Sequence, residues 1–147
     1  IDTAAKSKCE LHLPVDHVCS TQFSEKSGDI EVFDENIKPG FMGLDIGPKT
    51  QTKFSMALRK AKTIVWNGPM GVFEFLPFST GTRQVGQAIA EATAHGAVSI
   101  VGGGDSAAAA EKFGLASKMT HVSTGGGASL EMLGGKPFTT VELLDNA

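Results

Sequence analysis

The chain has 147 residues, with 13 Lys and Arg against 16 Asp and Glu for a formal charge of −3, and it is 41% hydrophobic and 20% charged. That length suits one domain of ordinary size, and that balance excludes wholesale disorder. A slightly acidic chain without a basic run is a poor ligand for nucleic acid or an anionic membrane, and no apolar stretch approaches the roughly 20 residues of a membrane span.

The chain opens Ile1-Asp2-Thr3-Ala4-Ala5-Lys6. This is neither an initiator Met nor a signal peptide, so the start reads as that of a fragment or a trimmed chain. Residues 1–8 read as the end of a helix. The stretch Cys9 to Val18, in which Leu11, Leu13 and Val15 alternate with polar residues, then predicts a strand, with Pro14 at its end or on an edge. Cys9 and Cys19 form no disulfide framework and no metal pattern, which points to a reducing compartment. Residues 20–30 read as a polar loop, and Glu31-Val32-Phe33 as a short strand.

Gln51 to Ala61 predicts a helix with Phe54, Leu58 and Ala61 on one face. The strand Thr63-Ile64-Val65-Trp66 runs into Asn67-Gly68-Pro69-Met70-Gly71. Ser79 to His95 predicts a helix burying Val85, Ala88, Ile89 and Ala92, stopped by Gly96. Val98-Ser99-Ile100-Val101 is a strand ending in Gly102-Gly103-Gly104-Asp105. Ser106 to Phe113 predicts a helix, with Asp105 as its N-cap and Gly114 as its stop. Met119 to Ser123 is a strand ending in Thr124-Gly125-Gly126-Gly127. Apolar strands alternating with helices predict an α/β fold: a doubly wound, Rossmann-like parallel sheet with helices on both faces, here an incomplete domain.

In such sheets ligands bind beyond the carboxyl ends of the strands, where all three glycine clusters fall. Glycine there allows positive φ and removes the Cβ, so a ligand can touch the main chain. The following helix adds free N–H groups and the positive end of its dipole, which suits a phosphate. The plainer reading is that these glycines only make tight turns; three clusters at equivalent strand ends weigh against it.

Gly102 to Ala107 also fits the dinucleotide pattern G-x-G-x-x-A, and a dinucleotide-binding oxidoreductase is one alternative. A carboxylate inside that turn repels a pyrophosphate unless a cation intervenes, and no acidic ribose ligand follows the next strand. Asp105 beside phosphate-binding N–H groups is better suited to Mg²⁺, which takes carboxylate plus phosphate oxygens. There is no P-loop and no G-x-S-x-G elbow. His121 reads as a core histidine, and Trp66 and Phe73 as core aromatics. Glu74 faces the same sheet edge, to bond ribose hydroxyls or to meet solvent.

The cations are sparse. No Lys or Arg lies between Arg83 and Lys112, nor between Lys118 and Lys136. Phosphoryl transfer is met by Arg or Lys with Mg²⁺, and one arginine finger accounts for about 4–7 kcal/mol. A helix dipole contributes roughly 0.3–1 kcal/mol at an exposed site. These glycine loops therefore suit nucleotide binding more than transfer, and a noncatalytic nucleotide-binding module is the other alternative.

Gly43-Leu44-Asp45-Ile46-Gly47-Pro48, Val65 through Glu74, Gly102-Gly103-Gly104-Asp105-Ser106 and His121 through Glu131 resemble phosphoglycerate kinase in order and spacing, and Leu13-Pro14-Val15-Asp16 fits as well. The resemblance covers essentially all 147 residues and corresponds to the later part of that family's C-terminal, nucleotide-binding domain. It implies a cytoplasmic, monomeric glycolytic enzyme transferring phosphate reversibly between 1,3-bisphosphoglycerate and ADP, giving 3-phosphoglycerate and ATP. It also implies that the N-terminal domain holding 3-phosphoglycerate, and the first strands with their Gly-Gly-Ala-Lys loop, are not in this chain, so that the fragment alone is inactive. By resemblance, Gly43 and Leu44 lie against adenine with Met70, Gly71 and Val72 opposite, and Glu74 binds the ribose. Asn67 reaches the phosphates, with Gly68 and Phe73 shaping its loop. Gly102, Gly103 and Gly104 form the phosphate turn, Asp105 holds the Mg²⁺ of the ADP or ATP complex, and Ser106 bonds a phosphate. Gly125, Gly126 and Gly127 open a helix toward the transferred group. Ser106 stands where Thr is usual and Met70 where Val is frequent.

Overall fold

The structure, a computed structural model, describes residues 2–123 and 125–136. After a short helix α1 (Asp2–Ala5), the chain runs without regular structure to Asp16. Of the strand expected over Cys9 to Val18 only His17 and Val18 pair, and Leu11, Leu13 and Val15 stay exposed. The alternation has the right period but no neighbouring strand to pair with. Pro14 lacks an N–H, and the segment is tied instead to a helix: Val15 and Asp16 N–H donate to Thr50 Oγ1, and Lys53 Nζ donates to Leu13 O.

Pairing begins two residues later. β1 (His17–Ser20) lies between β2 (Ile30–Phe33) and β3 (Met42–Ile46), antiparallel to both. β2 is the short strand expected at Glu31–Phe33. β3 has no counterpart in the sequence reading, because Gly43 and Asp45 break its apolar run and both are poor strand formers.

The second sheet follows the expected grammar. β4 (Thr63–Asn67), β5 (Val98–Gly102) and β6 (His121–Ser123) are parallel and in the order β4-β5-β6. They alternate with α3 (Thr80–Ala94), α4 (Gly104–Lys112) and α5 (Gly126–Leu133), giving an α/β parallel sheet flanked by helices. α2 (Pro48–Leu58) starts three residues before the expected Gln51, since Pro48 is preorganised for the first helical turn. The helix stops at Gly96 and Gly114 hold: both take positive φ, +93° and +65°.

Alternation along β4 and β5 turns Ile64, Trp66 and Val101 toward Val85, Ile89 and Ala92 of α3 and Ala109 and Ala110 of α4. Gly86 permits this approach, for a Cβ there would lie 2.7 Å from Leu115 Cδ1 and 3.1 Å from Trp66. Ile46 and Phe73 join the same cluster, so both sheets share one core. Val65 and Val98 remain exposed, at 39% and 45%. No described helix is long and apolar enough to cross a membrane.

Candidate functional site

The parallel register lines up the three strand ends. Asn67 pairs with Gly102, and Gly102 with Ser123, so the glycine turns leave the sheet side by side. At the turn after β5, Gly103 is confined by both its backbone and its neighbours. It takes φ +101° and ψ 147°, a conformation essentially confined to glycine, and its N–H donates to Ser123 O at 3.1 Å. A Cβ at Gly103 would lie 3.3 Å from Asn67 Oδ1, whereas one at Gly104 would meet nothing within 4 Å.

α4 begins at Gly104 with Gly103 as its cap, which corrects the expected role of Asp105. Asp105 sits within the first turn, exposed. Ser106 is buried, and its Oγ accepts the Gly68 N–H at 2.6 Å. That hydroxyl, expected to meet a phosphate, thus ties the α4 turn to the loop after β4. The same loop is held by Trp66, whose Nε1–H donates to Gly68 O at 2.8 Å.

Residues 70–74 then fold back onto β3. Val72 N–H donates to Leu44 O at 2.8 Å. Gly71 allows the approach, since a Cβ there would lie 2.5 Å from Leu44 O. The loop of Met70, Gly71 and Val72 thereby lies against Leu44 of β3, with Gly43 exposed and Leu44 buried. Phe73 is buried in the core, its ring meeting that of Phe113 edge-on, and Glu74 is exposed beside it. An apolar groove of about 300 Å³, lined by Phe54, Leu58, Trp66 and others, reaches the site at Asn67 and Met70.

On the third strand, Gly125 N–H donates to Ser123 Oγ at 3.2 Å and α5 begins at Gly126. A Cβ at Gly127 would meet nothing within 4 Å. Thr124 lies outside the described residues. His121 is exposed rather than a core residue, because β6 is an edge strand and its outward face is uncovered there.

Four residues of this region escaped sequence reasoning. Asp16 accepts the Lys49 and Thr50 N–H groups and the Thr50 hydroxyl at the start of α2. Burial opposes its charge, but the Thr50 hydroxyl, the two N–H groups and the nearby Lys49 together hold the carboxyl below its usual range. Asp45 accepts the Gly81 N–H at 2.7 Å at the start of α3, and its own chain's Ile46 N–H at 2.8 Å. Burial outweighs those two bonds and pushes its carboxyl up to about 6. Thr82 Oγ1 accepts from Met70 and Gly71, and Lys112 Nζ donates to the carbonyls of Phe73 and Glu74 at 3.0 and 2.8 Å. The only local signal was that Asp45 precedes Gly47-Pro48; the other contacts are long-range.

Asp16 and Asp45 give α2 and α3 a carboxylate at their N-termini, while α4 has no side-chain cap. Its free N–H groups and dipole suit an anion. Among the described residues no three His, Cys, Asp or Glu side chains cluster as a metal cage. One exposed carboxylate next to an open glycine turn instead fits Mg²⁺ held jointly by protein, phosphate oxygens and water.

A family model described as "Phosphoglycerate kinase" matches residues 1–136. The phosphoglycerate kinase of Clostridium kluyveri is 51% identical over 146 residues, covering 99% of this chain and 36% of that protein. That of Chlorobium phaeobacteroides is 52% identical over 146 residues, covering 99% and 37%. The solved phosphoglycerate kinase of Coxiella burnetii superposes with a TM-score of 0.84 at 44% identity, over 92% of this chain and 34% of that one. The chain thus spans little more than a third of the length of the relatives it matches.

Proposed function

This chain belongs to the phosphoglycerate kinase family, and from that premise we propose that it is the later part of the C-terminal, nucleotide-binding domain of such a kinase. The reaction proposed for the whole enzyme is the glycolytic, reversible transfer of a phosphoryl group between 1,3-bisphosphoglycerate and ADP, giving 3-phosphoglycerate and ATP. One observation carries this reading: the pairing of Asn67, Gly102 and Ser123, which sets three glycine turns at one sheet edge around an α4 N-terminus that no side chain caps.

Each group then has a task. Gly43 and Leu44 flank the base from one side and Met70, Gly71 and Val72 from the other. Glu74 bonds the ribose hydroxyls, and Phe73 anchors its loop in the core. Asn67, Gly68, the Gly102–Gly104 turn and Ser106 surround the phosphates. Asp105 holds the Mg²⁺ that accompanies the nucleotide and offsets phosphate charge. Gly125, Gly126 and Gly127 direct the α5 N-terminus at the transferred group. The phosphoglycerate site belongs to an N-terminal domain outside these residues.

The chain's own chemistry supports binding rather than transfer. No Lys or Arg occurs within Gly102–Ser106 or Gly125–Ser129, and Lys112 is engaged with the carbonyls of Phe73 and Glu74. The about 4–7 kcal/mol that one cationic side chain contributes to phosphoryl transfer therefore comes from elsewhere. Calorimetric titration with ADP, with Mg²⁺ and with EDTA, tests the reading. Binding that is tighter with Mg²⁺ is expected. Equal affinity in both removes the metal from Asp105, and no binding in either refutes the nucleotide site.

A further inference from the structure

The base side of the proposed pocket is made of two segments far apart in sequence, and both are fastened to the first turn of α3. Thr82 is fully buried there. Its Oγ1 accepts the N–H of Met70 at 3.0 Å and of Gly71 at 3.3 Å, so both acceptor sites of one hydroxyl serve a single loop. The next N–H along, that of Val72, donates to Leu44 O. The residue before Thr82, Gly81, donates its N–H to Asp45 Oδ2 and so grips β3. A Cβ at Gly81 would overlap the Asp45 carboxylate, and one at Gly71 would overlap Leu44 O, so neither wall can move without the other. The phosphate side is tied down separately, through Ser106 Oγ and the Gly68 N–H.

We infer that Thr82 is a positioning residue for the nucleotide base: it contacts no ligand but fixes where the Met70–Val72 segment sits against Leu44 of β3. This rests on the nucleotide reading above. It distinguishes base from phosphate, because the hydroxyl holds the loop at Met70 and Gly71, while Ser106 Oγ holds it at Gly68. A merely structural role for Thr82 weakens every ligand alike.

The test uses the 147-residue chain with Thr82→Val, which keeps the shape and removes the acceptor, and Thr82→Ser, which keeps the hydroxyl. Amide exchange is followed at Met70, Gly71 and Val72, and Mg-ADP and Mg-pyrophosphate are titrated separately. In Thr82→Val, exchange at those three amides is expected to quicken by about tenfold or more while Ile89 and Ala92 in α3 keep their protection. Mg-ADP affinity is expected to fall about tenfold, equivalent to about 1.4 kcal/mol, with pyrophosphate binding unchanged and Thr82→Ser restored. Unchanged exchange at Met70–Val72, or equal losses for ADP and pyrophosphate, overturns the inference. Should Thr82→Val not fold, Thr82→Ala serves the same comparison. If the unaltered chain binds neither ligand, the nucleotide reading fails, and the exchange rates alone decide whether Thr82 holds the wall.

Discussion

Replacing Gly104 by alanine separates what the glycine turn does for folding from what it does for a ligand. Gly104 is the first residue of α4, its φ lies outside the left-handed region, and a Cβ there meets nothing within 4 Å. Alanine fits without strain and restricts the unfolded chain, so it stabilises the fold by about 0.4–1 kcal/mol. For a chain of this size that raises Tm by about 1–4 °C. The same methyl would stand where the proposed phosphate approaches the α4 N-terminus, so Mg-ADP is expected to bind about tenfold more weakly or worse, a loss of at least about 1.4 kcal/mol. Gly103→Ala is the contrast. At φ +101° and ψ 147°, with Asn67 Oδ1 3.3 Å from its Cβ, it costs folding about 1–3 kcal/mol. Thermal melts and calorimetric titrations of both variants make the comparison. A more stable Gly104→Ala that binds Mg-ADP like the unaltered chain shows that this glycine serves only the turn. A lower Tm for Gly104→Ala defeats the reasoning from open space.

Asp45 gives a pH signature. Its carboxyl is raised from 3.8 to about 6 by burial, so the folded state holds the proton more tightly and stability falls as pH rises from about 4 to about 6. The contribution is at most about 3 kcal/mol, and Asp45→Asn should flatten the urea midpoint across that window; an unchanged slope removes Asp45 as its source. Asp16 runs the other way: its lowered carboxyl stabilises the fold above the usual 3.8 and loses that contribution as pH falls further. Glu74→Gln is expected to cost ADP about 1.5–3 kcal/mol of binding and to spare its 2′,3′-dideoxy analogue. Equal losses for both nucleotides place Glu74 away from the ribose. In a coupled kinase assay the 147-residue chain alone should show no turnover, and turnover in the usual enzyme range disproves the account of its missing cations.

The region from Thr63 to Gly127 was legible because each element carries its own signal. Ile64-Val65-Trp66 and Val98–Val101 are short apolar runs, and each stops at glycines that make turns. Gly96 and Gly114 mark helix ends by a conformation other residues avoid. The N-terminal third was less legible because its signals are relational. Leu11, Leu13 and Val15 have a strand's period without a strand beside them. β3 has a partner but not the period, and forms because β1 pairs with it from His17 to Ser20. The glycine motifs proposed for the site were legible one by one, and strand order sets Asn67, Gly102 and Ser123 side by side. Asp16, Asp45, Thr82 and Lys112 were not found, since each acts on a backbone group at least 33 residues away or, for Thr82, across a turn from α3 onto a loop.

Those hidden residues bear on where the proposed phosphate site would sit. A helix start is an anion site by default, with free N–H groups and a positive dipole end. In this chain two such starts are already occupied from within. Asp16 bonds the first turn of α2, and Asp45 bonds that of α3, each a buried carboxylate reaching in from a distant segment. Gly47 and Gly81 make room for them, since a Cβ at either position would overlap the carboxylate. α4 is built differently. Its cap is Gly103, no side chain among the described residues bonds its first turn, and the Ser106 hydroxyl accepts from Gly68 instead. An incoming phosphate therefore meets internal competition at α2 and α3 and none at α4. The glycines at 103 and 104 leave that end open, so the proposed preference for α4 over α2 and α3 follows from where the chain has placed its own acids.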